Sequence, residues 1–122
     1  MKALCVKQPY AEWLVSGAKT IETRTWATKY RGPLLIVATK MNRKQWTPEK
    51  QAEFDKLPVG MAVGVVNLVL CREMTKHDEW LARCLLYPRA KAWVTEKARR
   101  INPFPVKGQL SLFEVAMEED AK

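Results

Sequence analysis

Two apolar runs decide what this chain can fold into: the nearly continuous Leu34–Thr39 and the longer Met61–Cys71. Neither shows the strict apolar–polar alternation of a strand with one wet face, so both read as buried strands. Gly64 interrupts the second run and marks where such a strand bends through a bulge. Shorter strand patterns lie at Ala3–Val6, Thr20–Thr25, Ala92–Ala98 and Leu110–Met117. Between them, Pro9 opens a segment in which Tyr10, Trp13, Leu14 and Gly17 keep helical spacing, and Gly17 is a natural stop. Thr47-Pro48-Glu49 is a capped helix start running to about Lys56, and Thr75 caps a short helix over Lys76–Leu85. Arg31-Gly32-Pro33 and Asn102-Pro103-Phe104-Pro105 read as turns. Five or six short strands with two or three peripheral helices favour an α+β chain built as a small mixed β-barrel over a βαβ fold.

The length of 122 residues predicts one domain over residues 1–117, followed by an acidic tail at 118–122. No stretch is long and apolar enough to span a bilayer, and the first residues run straight into a strand, leaving no room for a signal peptide. Cys5, Cys71 and Cys84 are odd in number, lack C-x-x-C spacing and sit among apolar neighbours. They read as reduced thiols, which makes the cytoplasm the expected compartment. With a lone His77 and no paired cysteines, neither a metal site nor a cofactor is expected.

Charge carries the first functional signal. The chain has a net charge of +8, concentrated in two blocks. Lys19–Lys50 holds eight basic residues against two acids, and Tyr87–Gly108 holds six against one. Two such blocks on a small domain suit a polyanion, because each neutralised phosphate releases condensed counterions. A solvated basic surface without a partner is the plainer alternative. No basic amphipathic helix points to a membrane surface.

The densest charge cluster is Gly17-Ala-Lys19-Thr-Ile-Glu22-Thr-Arg24. In a strand, Glu22 and Arg24 share one side while Ile21 faces the other, and Lys19 sits at the turn leaving Gly17. Such a cluster can hold an anion or polarise a substrate, or it can be an ordinary surface ion pair. Lys19 is the leading candidate, as a phosphate clamp or a base. Glu22 can orient Lys19, accept from a base amino group, or simply pair with Arg24. Arg24 can fork onto phosphate, stack on a base, or brace the strand. Gln8 can offer its amide to a base edge or cap the helix.

The spacing G-x-K-x-x-E-x-R, preceded by Gln8-Pro9-Tyr10-Ala11, resembles the signature of the ASCH domain family. Lys91-Ala-Trp93-Val and the segment Pro105–Val115 resemble that family's C-terminal half, where a Trp-containing strand leads through a Gly turn into a closing strand. The resemblance implies a PUA-like barrel, related to domains of RNA-modifying enzymes. It raises Trp93 as a pocket wall. It also implies two activities: some ASCH proteins are amidohydrolases acting on N4-acetylcytidine, and others are described as ribonucleases. In the amidohydrolases the motif lysine acts with a threonine three residues later and a distant glutamate. Here Lys19 matches the lysine, but Glu22 stands at the threonine position. That departure removes the hydroxyl, although Thr20 and Thr23 lie nearby.

Aromatic side chains complete the reading, because single strands are held by stacking above a basic groove. Trp26 and Tyr30, beside Lys29 and Arg31, form the best basic–aromatic interleaving in the chain. Trp46 is a weaker candidate, and Trp13 reads as core. The leading expectation is an RNA-binding module in which a cleft around Gln8, Lys19, Glu22 and Arg24 takes a nucleotide, with a monomer favoured. The alternative is a small hydrolase of RNA or a modified nucleoside, with Lys19 and Glu22 catalytic. A protein-interaction domain is the third reading.

Overall fold

The computed structural model describes residues 1–117; the acidic tail at 118–122 lies outside the described residues. Six strands form one mixed sheet in the order β2-β5-β4-β3-β1-β6. They are β1 (Lys2–Lys7), β2 (Ile21–Arg24), β3 (Gly32–Thr39), β4 (Met61–Glu73), β5 (Lys91–Pro105) and β6 (Phe113–Glu114). Three helices accompany them: α1 (Tyr10–Ser16), α2 (Pro48–Phe54) and α3 (Glu79–Ala82). The sheet curls into a half-barrel, an α+β architecture consistent with a PUA-like barrel.

The two apolar runs become central strands. In β3, Leu34, Ile36 and Ala38 join one core cluster while Leu35 and Val37 join another on the opposite face. Alternation places successive side chains on opposite faces, so burial on both sides is what removes polar residues from the run. Each of these five side chains is at most 1% exposed. β3 pairs parallel to β1 and antiparallel to β4. The curl comes from β4 and β5, whose pairing slips at three places, and Lys97 takes a left-handed φ of 52° at one of them.

α1 packs against β1, β3, β4 and β5. It begins after Gln8 and Pro9 and ends at Gly17, whose φ of 83° closes the helix. Gly64 lets the helix approach: a Cβ there would lie 2.5 Å from both Arg99 O and Val15 Cγ1. The pairing of β4 slips between Ala62 and Gly64, so the expected bulge lies immediately beside the close approach.

Other expectations need correction. β5 continues through Asn102-Pro103-Phe104-Pro105, which read as a turn. β2 pairs only with Lys91–Val94, so beyond this stretch the other edge of β5 is open and a missing proline N–H costs little. The predicted strand Leu110–Met117 shrinks to Phe113–Glu114, paired with Lys2 and Ala3. The predicted helix Lys76–Leu85 is a 3-10 turn over Lys76–Asp78 followed by the single turn of α3, stopped by Arg83 at φ 57°.

Asp78 anchors that turn. Its carboxylate takes two hydrogen bonds from Arg72 and one from the Thr75 backbone N–H, at 2.8–2.9 Å. The Arg72 bonds, supported by Thr75, hold the Asp78 carboxyl well below the usual carboxylate range. A depressed folded-state pKa contributes stability that is complete above the unfolded value of about 4 and is lost as pH falls toward the folded value. Asp78→Asn should therefore lower the urea midpoint at pH 7 and flatten its decline between pH 5 and 3. An unchanged acid limb would mean that this pair does not set it.

Candidate functional site

A cleft of about 520 Å³ opens where β1, β2, the start of α1 and the segment after α3 converge. Its lining includes Lys19, Glu22, Thr23 and Arg24 of the charged segment, together with Lys7, Tyr10, Gln45, Cys84 and Tyr87. Alternation in β2 works as expected: Ile21 is buried in an apolar cluster while Glu22 and Arg24 meet on the other side.

Lys19 is the organising residue, although it is only 2% exposed. Its Nζ donates to Ile21 O at 2.6 Å and Ala82 O at 2.5 Å, and lies 3.3 Å from Glu22 Oε1. Three acceptors match the three N–H donors of an ammonium. The Tyr10 ring lies over the same nitrogen, at 5.3 Å. Lys19 thus ties β2 to α3 and fixes one oxygen of Glu22.

The other oxygen, Oε2, accepts from Arg24 Nη2 at 2.8 Å. That nitrogen also donates to Cys5 O at 2.6 Å, which fastens β2 to β1. Arg24 Nε is buried and has no hydrogen-bond partner among the described residues. A buried unmade bond costs about 1–3 kcal/mol, a cost the fold carries here, and Arg24 meets the cleft through the rest of a partly exposed side chain. Beside it, Gln45 donates to the Tyr10 hydroxyl oxygen at 2.5 Å, leaving the phenol O–H free to donate. Burial pushes the Tyr10 phenol above its ordinary value, with Cys84 and Glu22 adding to the shift and the Gln45 bond opposing it. The hydroxyl stays protonated at neutral pH. Thr23 Oγ1 lies 3.7 Å from Cys84 Sγ. The cleft wall therefore offers an anchored carboxylate acceptor, a partly exposed guanidinium, and the hydroxyls of Tyr10 and Thr23.

The remaining sequence candidates lie elsewhere. Gln8 is 1% exposed; its Oε1 accepts from Glu12 N and its Nε2 donates to Pro58 O, so it caps α1 and holds the loop before β4. It borders a separate cavity of about 330 Å³ near Arg43 and Phe54. Trp93 is fully buried behind β2, opposite Glu22 in register. Trp26 packs edge-on against it at 4.8 Å and accepts its indole N–H. Tyr30 is half-buried, with its hydroxyl donating to Pro33 O, and Arg31 is exposed and bonded to the Thr28 and Tyr30 carbonyls. None of these five lines the cleft.

Tyr10, Gln45 and Cys84 were absent from the sequence reading as site residues. Tyr10 carried a signal, its place in Gln8-Pro9-Tyr10-Ala11. Gln45 and Cys84 carried none, since only the fold brings their segments together.

With this geometry established, comparison with known proteins gives consistent results. The family model for the ASCH domain matches residues 4–105. Activating signal cointegrator 1 from Homo sapiens is 36% identical over 88 residues, and that from Mus musculus 35%; the match covers 62% of this chain. It spans only 15% of the length of either relative. The crystal structure of ASCH from Zymomonas mobilis superposes with a TM-score of 0.62 at 16% identity, covering 98% of this chain and 89% of that one. A mutant of the same protein gives a TM-score of 0.62 with 91% of its chain covered. A shared half-barrel, the charged segment at its cleft and a domain match over most of the length agree: the chain belongs to the ASCH domain family.

Proposed function

We propose that this chain binds single-stranded RNA and that the cleft takes one of its nucleotides. The observation that carries the reading is Glu22 and Arg24 paired at 2.8 Å on the cleft wall, with the Arg24 side chain 26% exposed. Glu22, fixed at both oxygens, can still accept an N–H from a base edge through its remaining lone pairs. Arg24 can donate to a base carbonyl or a phosphate. Flanking backbone would meet exposed cations of both basic blocks, among them Lys29, Lys40 and Lys44 in the first and Lys97, Arg99 and Lys107 in the second. Family membership supports the same reading.

The geometry favours binding over hydrolysis. The Lys19 side chain is 2% exposed and its N–H groups are taken up by protein acceptors, so at the cleft floor it has no donor left over for a substrate.

The test is fluorescence anisotropy with labelled single-stranded RNA. Arg24→Ala should weaken binding roughly 10-fold or more, the usual effect of losing a hydrogen bond to a charged group. Raising salt from about 50 to 200 mM should cost the wild type at least another tenfold. Labelled RNA and N4-acetylcytidine should be recovered intact. Salt-independent binding, or an Arg24→Ala chain that binds like wild type, would count decisively against the cleft. Lys19-dependent turnover would return the hydrolase.

A further inference from the structure

We infer that the rim formed by α3 and the turn after it is a stacking platform for a base flanking the nucleotide in the cleft, with Trp80 as its open face. The inference rests on the RNA-binding reading and names a contact outside the cleft itself.

Trp80 is 75% exposed, with Leu81 and Leu85 exposed beside it, and a tryptophan is highly buried on average. The segment that carries them is rigidly attached to the charged motif. Lys19 Nζ donates to Ala82 O, Thr20 N to Leu81 O, and Arg83 to Ala18 O, while Thr23 meets Cys84. A connected series of π systems and a cation leads outward from the cleft. Tyr10 lines the cleft and contacts Trp13 edge-on at 5.4 Å. The Arg83 guanidinium then lies 5.7 Å from the Trp13 ring and 5.1 Å from that of Trp80. Arg83 sits between two indoles, and the exposure of Trp80 leaves ring surface open beyond it.

The surrounding charge selects the occupant. Lys76, Arg83 and Arg89 are exposed around the apolar side chains. The neighbouring acids are engaged within the protein: Glu79 accepts from Leu86 N, Asp78 pairs with Arg72, and Glu73 pairs with Lys91. An indole backed by a guanidinium and flanked by uncommitted cations suits an unpaired base with phosphates on either side. It suits an apolar protein helix less, since Arg83 interrupts the apolar face.

Anisotropy with a labelled octanucleotide tests this, using the full chain and both RNA and DNA versions. Trp80→Ala should weaken octamer binding about 10-fold, as expected for one lost base–aromatic stack, and leave mononucleotide binding unchanged. Trp80→Phe should recover most of the affinity and Trp80→Leu little, because stacking needs a planar ring. An abasic site walked along the octamer should cost affinity at one position in the wild type and nothing there in Trp80→Ala. Wild-type octamer affinity in Trp80→Ala or Trp80→Leu overturns the platform while the cleft reading stands, and assigns the apolar face to a protein. Failure of the wild type to bind either octamer overturns both.

Discussion

Replacing Lys19 by methionine is expected to lower the melting temperature by roughly 10–20 °C, corresponding to a loss of about 3–5 kcal/mol. Methionine keeps much of the volume but none of the donors. Ile21 O and Ala82 O lose their partner in a buried setting, and Glu22 keeps only Arg24. Removing one member of a buried pair is costly because the remaining charge is stranded without solvent. Because the two residues share one ion pair, Lys19→Met combined with Glu22→Leu should cost less than the sum of the two single changes. Calorimetry on wild type, the two single variants and the double variant decides it. A melting temperature within a few degrees of wild type would mean that Lys19 is dispensable to the fold and would reopen a direct role for it at a ligand.

Trp93→Ala should cost about 3–5 kcal/mol, the range for truncating a fully buried aromatic residue. Trp93 has no exposed surface, packs edge-on against Trp26, and donates its indole N–H to the Trp26 carbonyl at 3.2 Å. It also stands opposite Glu22 in the β2–β5 register, so its loss would loosen the strand that carries the cleft carboxylate. Guanidinium denaturation should show a fall in midpoint at constant slope, the mark of a stability change without a change in the unfolded state. Trp93→Phe, which keeps a ring but loses the hydrogen bond, should give a smaller loss. A cost below about 1 kcal/mol for Trp93→Ala would be incompatible with this packing.

The parts of the fold that could be read ahead were those fixed by local pattern. The apolar character of Leu34–Thr39 follows from burial on two faces, and Gly17 and Thr47 act at the helix ends where their chemistry places them. The prolines of β5 misled because an open strand edge tolerates what a central strand forbids, and edge position is a property of the sheet. At the site, alternation placed Glu22 and Arg24 together. It gave no sign that Lys19 would be buried, because the acceptor that holds it, Ala82 O, comes from 63 positions away. The same distance effect hid Cys84, and it turned Gln8 and Trp93, plausible ligand contacts in one dimension, into a cap and a core residue.

The sealing of Lys19 beneath the cleft also separates scaffold from specificity. A lysine whose donors end on β2 and α3 reports that two elements are correctly docked; it carries no information about what docks above them. On the binding reading proposed above, ligand choice would pass to other side chains of the cleft, such as Tyr10, Gln45, Thr23 and Cys84. On that reading, engineering the cleft toward a different ligand should begin at those four positions, with Lys19 left untouched.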